Sequence, residues 1–157
     1  MTTIWIGPWT VDADVEVTRG VYAVTKRAGS PRDCSCQGCR NLLALAEHAL
    51  PAPLKSILYH LGIDPHKAAE LYELCPPSRG FLVYRGWFHC SGWVDGPGPW
   101  PEQVWHPISK SCEISCLFER DLAFGEFDVH PLVQVEFTLR APWVLMESLE
   151  LSEWASG

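Results

Sequence analysis

Three cysteines fall within six residues in the run Cys34-Ser35-Cys36-Gln37-Gly38-Cys39. Thiolate sulfur is both a soft metal ligand and a strong nucleophile, so this run is where chemistry would concentrate. A short glycine-containing knuckle can aim two or three sulfurs at one ion. Zinc takes four ligands in a tetrahedron with Zn–S near ~2.3 Å, so a structural zinc held by Cys34, Cys36 and Cys39 needs a fourth ligand from elsewhere. Cys75, Cys90 and His89 are the candidates. His89 and Cys90 are neighbours in an expected strand and point to opposite faces, so only one of them can contribute. No second C-x-x-C follows at finger spacing, and the plain alternative is that the thiols pack a compact turn at the start of a helix.

Cys36-Gln37-Gly38-Cys39 also resembles the dithiol of a thioredoxin-type site, where a helix N-terminus lowers the pKa of the first thiol. The residues before it, Gly29 to Asp33, read as loop, where such a site has a buried strand. A thiol-dependent redox enzyme using Cys36 and Cys39 is therefore the alternative reading. Other catalytic signatures are missing: there is no H-E-x-x-H, G-x-S-x-G, Walker loop or G-x-G-x-x-G among these residues. Asp128-x-His130 could orient an imidazole for a nucleophile such as Cys90, but such pairings arise by chance among six histidines and seven cysteines. No residue is assigned a catalytic role, and a non-enzyme is favoured. Cys112 and Cys116 are roughly 13 Å apart if they share a strand, too far for one ion or one disulfide, and read as packing residues.

Eight tryptophans are many for 157 residues, and Trp87, Trp93, Trp100 and Trp105 crowd around a Gly/Pro-rich loop. Trp offers large rigid area with little entropy to lose, so it is common in binding hot spots. Trp87 and Trp93 read as core or sheet-face residues. Trp100 and Trp105, in the loop, are the expected partner-binding pair.

These groups must be positioned by the elements around them. Val11, Ala13, Val15 and Val17 alternate with Asp12, Asp14 and Glu16, which predicts a half-buried strand from Thr10 to Thr18. Arg19-Gly20 then supplies a turn and Val21 to Thr25 a returning strand, with Ile4 to Ile6 as a short strand ahead. From Asn41 the period changes: Leu42, Leu45, Ala46, Ala49 and Leu50 follow helical spacing up to Pro51, and Leu54, Ile57, Leu58 and Leu61 follow it again up to Gly62. Asp64-Pro65 reads as the capped start of a third helix through Leu74. Strands return at Phe81 to Val94, with Gly86 and Gly92 as bend points, at Cys112 to Phe118, and at Val133 to Leu139. The expected fold is α+β: one two-layer domain over residues 1–157, a mainly antiparallel sheet in the order ββ-ααα-βββ. Its N-terminal strands occupy about 4–26, its helical block about 40–74, its C-terminal strands about 81–140, and a polar tail about 146–157.

Composition sets limits on function. With 47% hydrophobic and 20% charged residues the chain can fold around a core, which excludes a disordered or fibrous protein. No apolar run approaches the roughly 20 residues that cross a bilayer, and Met1 to Val17 lacks the pattern of an export signal, so a cytoplasmic location is expected. The net charge is −7, and the acid excess falls within residues 81–157. No basic cluster is present to neutralise phosphates, so nucleic-acid and membrane partners are disfavoured and another protein is the expected partner.

The runs Cys34-x-Cys36-x-x-Cys39-Arg40-Asn41-Leu42, Gly62-Ile63-Asp64-Pro65, Gly86-Trp87-Phe88-His89 and Pro142-Trp143-Val144-Leu145 resemble an uncharacterised bacterial protein family with a C-x-C-x-x-C-[RK]-N element. The resemblance implies a single bacterial, cytoplasmic domain and no particular activity or cofactor. The resulting expectation is a small interaction domain without catalytic activity, immunity-like by analogy, with a cysteine-rich structural knuckle.

Overall fold

The computed structural model describes residues 1–26, 34–78, 80–98, 101 and 103–147, apart from the side chains at 47 and 75–78. The chain opens as a hairpin, β1 (Thr2–Ile6) and β2 (Trp9–Ala13), turned at Gly7-Pro8. Gly7 adopts φ +54, and a Cβ there would meet the His106 ring. The expected strand from Thr10 to Thr18 ends at Ala13, and Val15–Val24 is helix α1, with Arg19-Gly20 inside it rather than at a turn. Asp14 makes the switch, because its carboxylate accepts from the Val17 N–H at 3.1 Å and so caps the new helix. The alternation at Val15 and Val17 misleads; the buried positions Thr18, Val21 and Tyr22 follow helical spacing.

The cysteine run leads into α2 (Gln37–Leu45), a 3-10 turn at Ala46–His48, and then α3 (Ala52–His60) behind Pro51. Leu42, Leu54, Leu58 and Leu61 are buried, as the apolar stripes predict, and Gly62 supplies the left-handed turn at φ +79. The expected third helix over 64–74 is not formed. Asp64 caps only a turn, accepting from the His66 N–H at 2.9 Å, and Glu70–Ser78 is strand β3. Pairing with the long neighbouring strand overrides the local capping signal.

That neighbour is β4 (Phe81–Asp95), followed by β5 (His106–Ser109), β6 (Cys112–Leu117) and β7 (Leu132–Pro142). All pairings are antiparallel in one seven-stranded sheet of order β1-β2-β4-β7-β6-β5, with β3 also on β4. Three helices and this sheet make the α+β fold the sequence predicts. No helix among the described residues is long and apolar enough to cross a membrane. One sheet face carries Leu82, Tyr84, Phe88 and Cys90 with Val133, Val135, Phe137 and Leu139, all buried, and forms the main core with α2 and α3. The opposite face holds His89, Gln134, Glu136 and Ser115, polar yet buried, so it is not the solvated face that simple alternation suggests.

β3 pairs with one edge of β4 up to Trp87, and β2 resumes that edge at Gly92. α1 fills the gap between them with side chains. The Tyr22 hydroxyl donates to the His89 carbonyl (3.0 Å) and accepts from the His89 N–H (3.2 Å), while Thr18 Oγ1 accepts from the Ser91 N–H (3.0 Å). Buried backbone groups need such partners when a strand stops short. Tyr22→Phe strands two of them, so it should destabilise the fold by about 1–3 kcal/mol without changing secondary structure, measured by urea unfolding and circular dichroism.

Candidate metal centre

The knuckle is built by the start of α2. Cys36 is its N-cap, and the sulfur takes the place usually held by a Ser or Asp oxygen, accepting from the Cys39 N–H at 3.4 Å. That bond folds Cys36 and Cys39 to one side, and Cys34 closes on them. The three sulfurs lie within 4.8 Å of one another. A zinc tetrahedron with bonds of ~2.3 Å has S···S edges of roughly 3.8 Å, so only a slight contraction would bring three thiolates to bonding distance. Cys34, Cys36 and Cys39 are thus close enough to hold a metal ion.

The sheet fixes where the knuckle sits. The Tyr84 hydroxyl, from β4, donates to the Gly38 carbonyl at 2.8 Å. Asn41 is buried in α2, and its amide nitrogen donates to the Pro142 carbonyl (3.0 Å) and the Tyr84 hydroxyl (3.4 Å). Its side-chain oxygen accepts from the Val144 N–H at 2.8 Å. The Arg40–Glu147 pair (2.6 Å) is exposed on both sides and adds little. β3 brings Glu73 against Gly38 so closely that an added Cβ would lie 1.2 Å from Glu73 Oε1. Any larger residue there would push the Glu73 carboxylate aside. The same oxygen is 3.8 Å from the Cys36 sulfur.

The thiols differ in acidity. Cys34 is exposed, and its pKa is lowered by the Cys36 backbone N–H and by hydrogen bonds from the Cys36 and Cys39 thiols. Burial pushes the Cys36 thiol up, and burial together with its bonds to the other two thiols pushes Cys39 up further. Cys36 therefore sits where a thioredoxin-type nucleophile would, without that nucleophile's lowered pKa.

Of the expected fourth ligands, neither His89 nor Cys90 joins the cluster among the described residues. Counting along β4 from Tyr84, His89 lies roughly 17 Å and Cys90 roughly 20 Å away. Cys90 is fully buried and burial raises its thiol to about 12, which removes it as a nucleophile for His130 as well. Asp128 instead faces Arg120 at 3.9 Å. The Cys75 backbone lies opposite Val83, next to the Tyr84 position, but its side chain is outside the described set. Cys112 and Cys116 are buried in the core, as expected. Trp100 lies outside the described residues. Trp105 is half-buried, with the Arg85 guanidinium 5.2 Å above its ring. Sequence reasoning missed Glu73, hidden in a segment read as helix, and also Asn41 and Tyr84. A polar Asn amid the leucines of a helix was the available signal for Asn41. No known protein family, curated protein or solved structure matches the chain.

His89 has a different role. Its Nε2 meets the Gln134 oxygen at 3.0 Å, Gln134 donates to Glu136 at 2.8 Å, and Glu136 pairs with Arg85 at 2.5 Å and accepts from Gln103 at 3.0 Å. The Gln134 oxygen also accepts from the Asp121 N–H, so it is the acceptor and His89 Nε2 the donor. His89 Nδ1 is buried with no partner to receive a second proton. Burial depresses its pKa to about 4. Between pH 6.5 and 4 the unfolded chain takes up a proton that the folded chain refuses. Stability should therefore fall across that window by about 3 kcal/mol from this group. Urea unfolding at several pH values checks this: the fall should be shallower in His89→Gln by that amount.

Proposed function

We propose that this protein is a small non-catalytic interaction domain in which one zinc ion, held by Cys34, Cys36 and Cys39, fastens the start of α2 to the sheet. The observation that carries the reading is the convergence of three sulfurs within 4.8 Å on a helix start clamped to β3 and β4. Glu73 is the fourth ligand in this reading, because its Oε1 already lies 3.8 Å from the Cys36 sulfur and zinc accepts carboxylate oxygen. A closed four-ligand site is structural: it leaves no position for a reacting water. The fully buried Cys90 and the raised thiols of Cys36 and Cys39 weigh against a nucleophile at those three positions, and the exposed Cys34 is the acidified thiol of the cluster.

One observation favours the competing dithiol-redox reading, namely that Cys36 caps α2 and Cys39 lies one turn on. Metal analysis and thiol titration separate the two. Protein purified without chelator should carry one zinc per chain, and Cys34→Ser, Cys36→Ser or Cys39→Ser should each abolish it. Glu73→Gln should weaken binding by more than the roughly 10- to 100-fold that losing a group which merely supports a ligand costs. Rapid, reversible Cys36–Cys39 disulfide formation in protein free of bound metal would instead establish the redox reading.

A further inference from the structure

The ribbon formed by β1, β2 and the end of β4 presents a surface unrelated to the thiols. Register aligns Thr3, Asp12 and Trp93 in one row across the three strands and Trp5, Thr10 and Asp95 in the next. This face lies opposite the buried Val11 and Ala13. Trp5 is 75% exposed, Trp93 57% and Phe118 53%. The Trp93 and Phe118 rings stack at 5.4 Å and 10°. Single exposed apolar residues are ordinary, but three large rings beside two exposed carboxylates form a platform.

Two further observations define what would sit on it. The first is charge: the aligned rows carry Asp12 and Asp95 and no Lys or Arg, while the nearby Glu16 pairs with Arg19 and Asp14 caps α1. The second is the outer edge of β1, with which no described strand pairs. An open edge strand is a template for another chain, and proteins usually blunt it with proline, charge or a bulge. β5 contains Pro107, and β3 contains Pro76 and Pro77 with two register shifts. β1 reads Thr-Thr-Ile-Trp-Ile, with neither proline nor charge, and no strand among the described residues pairs with its outer edge.

We infer that β1 receives an extended, cationic segment of another protein as an added strand, whose Lys or Arg side chains lie over Trp5 and reach Asp12. Main-chain bonds to β1 give the pairing its register, and alternate side chains read the aromatic and acidic face. Trp is the best ring for a cation, and Asp12 supplies the opposite charge within reach on the neighbouring strand. The Trp93–Phe118 stack extends the platform for residues flanking the strand. The inference rests on the interaction-domain reading but not on the metal.

A synthetic nonapeptide alternating Thr or Val with Lys and Arg tests it, against a matched peptide with Glu at the basic positions, by NMR titration of the labelled protein. The cationic peptide should bind saturably, shift amides in 2–6, 10–13 and 92–95, and slow hydrogen exchange in β1. Trp5→Thr and Asp12→Asn should each weaken it about tenfold or more, the scale of a hot-spot residue. Cys34→Ser should keep the affinity, because Tyr84, where the knuckle docks, is roughly 30 Å along β4 from Trp93. Equal affinity for the acidic peptide, shifts confined to other surfaces, loss of binding in Cys34→Ser, or no binding at all would overturn the inference. Self-association through β1 in place of peptide binding would overturn it too.

Discussion

The buried contact between Asn41, Tyr84 and the backbone around them is what the rest of the candidate site depends on. Asn41 joins α2 to the Pro142 carbonyl and the Val144 N–H, while Tyr84 holds the Gly38 carbonyl. Inside a protein such bonds are electrostatically strong, and leaving one unmade costs more than making it gains. Their geometry therefore admits one seating of the helix. Because α2 starts at this clamp, its capping sulfur and the two beside it stand in a fixed place, and β3 delivers Glu73 to the same spot. The cysteine run becomes a possible metal centre through this seating, since its spacing alone provides no fourth ligand.

β4 links the two functional proposals physically. It is 15 residues long and meets β3, the side chains of α1 and then β2 along a single edge. Its first half supports the knuckle on the core face. Its last residues carry Trp93 on the opposite face. Between them lies the His89–Gln134–Glu136–Arg85 chain, which satisfies most of its polar groups within the protein and reads as a rigid spacer. A metal site at one end and a docking face at the other can therefore fail or persist separately.

The strands and the α2 and α3 stripes were legible because their buried residues keep a clean period: Leu54, Leu58 and Leu61 for the helix, Val133, Val135, Phe137 and Leu139 for the strand. The start of β5 fell in a stretch read as loop, and two further elements were misread. Val11 to Val17 alternates like a strand, yet the single carboxylate of Asp14 turns the chain into a helix. Asp64-Pro65 looks like a helix start, yet Glu70 to Glu73 gain more by pairing with β4. In both places a local signal competes with a partner that no periodicity reveals. The three thiols were visible from spacing, whereas Glu73 came to light only once its segment proved to be strand. The exposed Trp5 and Trp93 were equally hidden, because burial of a tryptophan depends on what packs over it.

X-ray absorption at the zinc edge addresses the central claim most directly, since it counts the ligands themselves. The account predicts three sulfurs at ~2.3 Å and one oxygen at ~2.0–2.2 Å, with the oxygen lost or replaced in Glu73→Gln. Zinc absent from the native protein, or bound by fewer than three sulfurs, would contradict it.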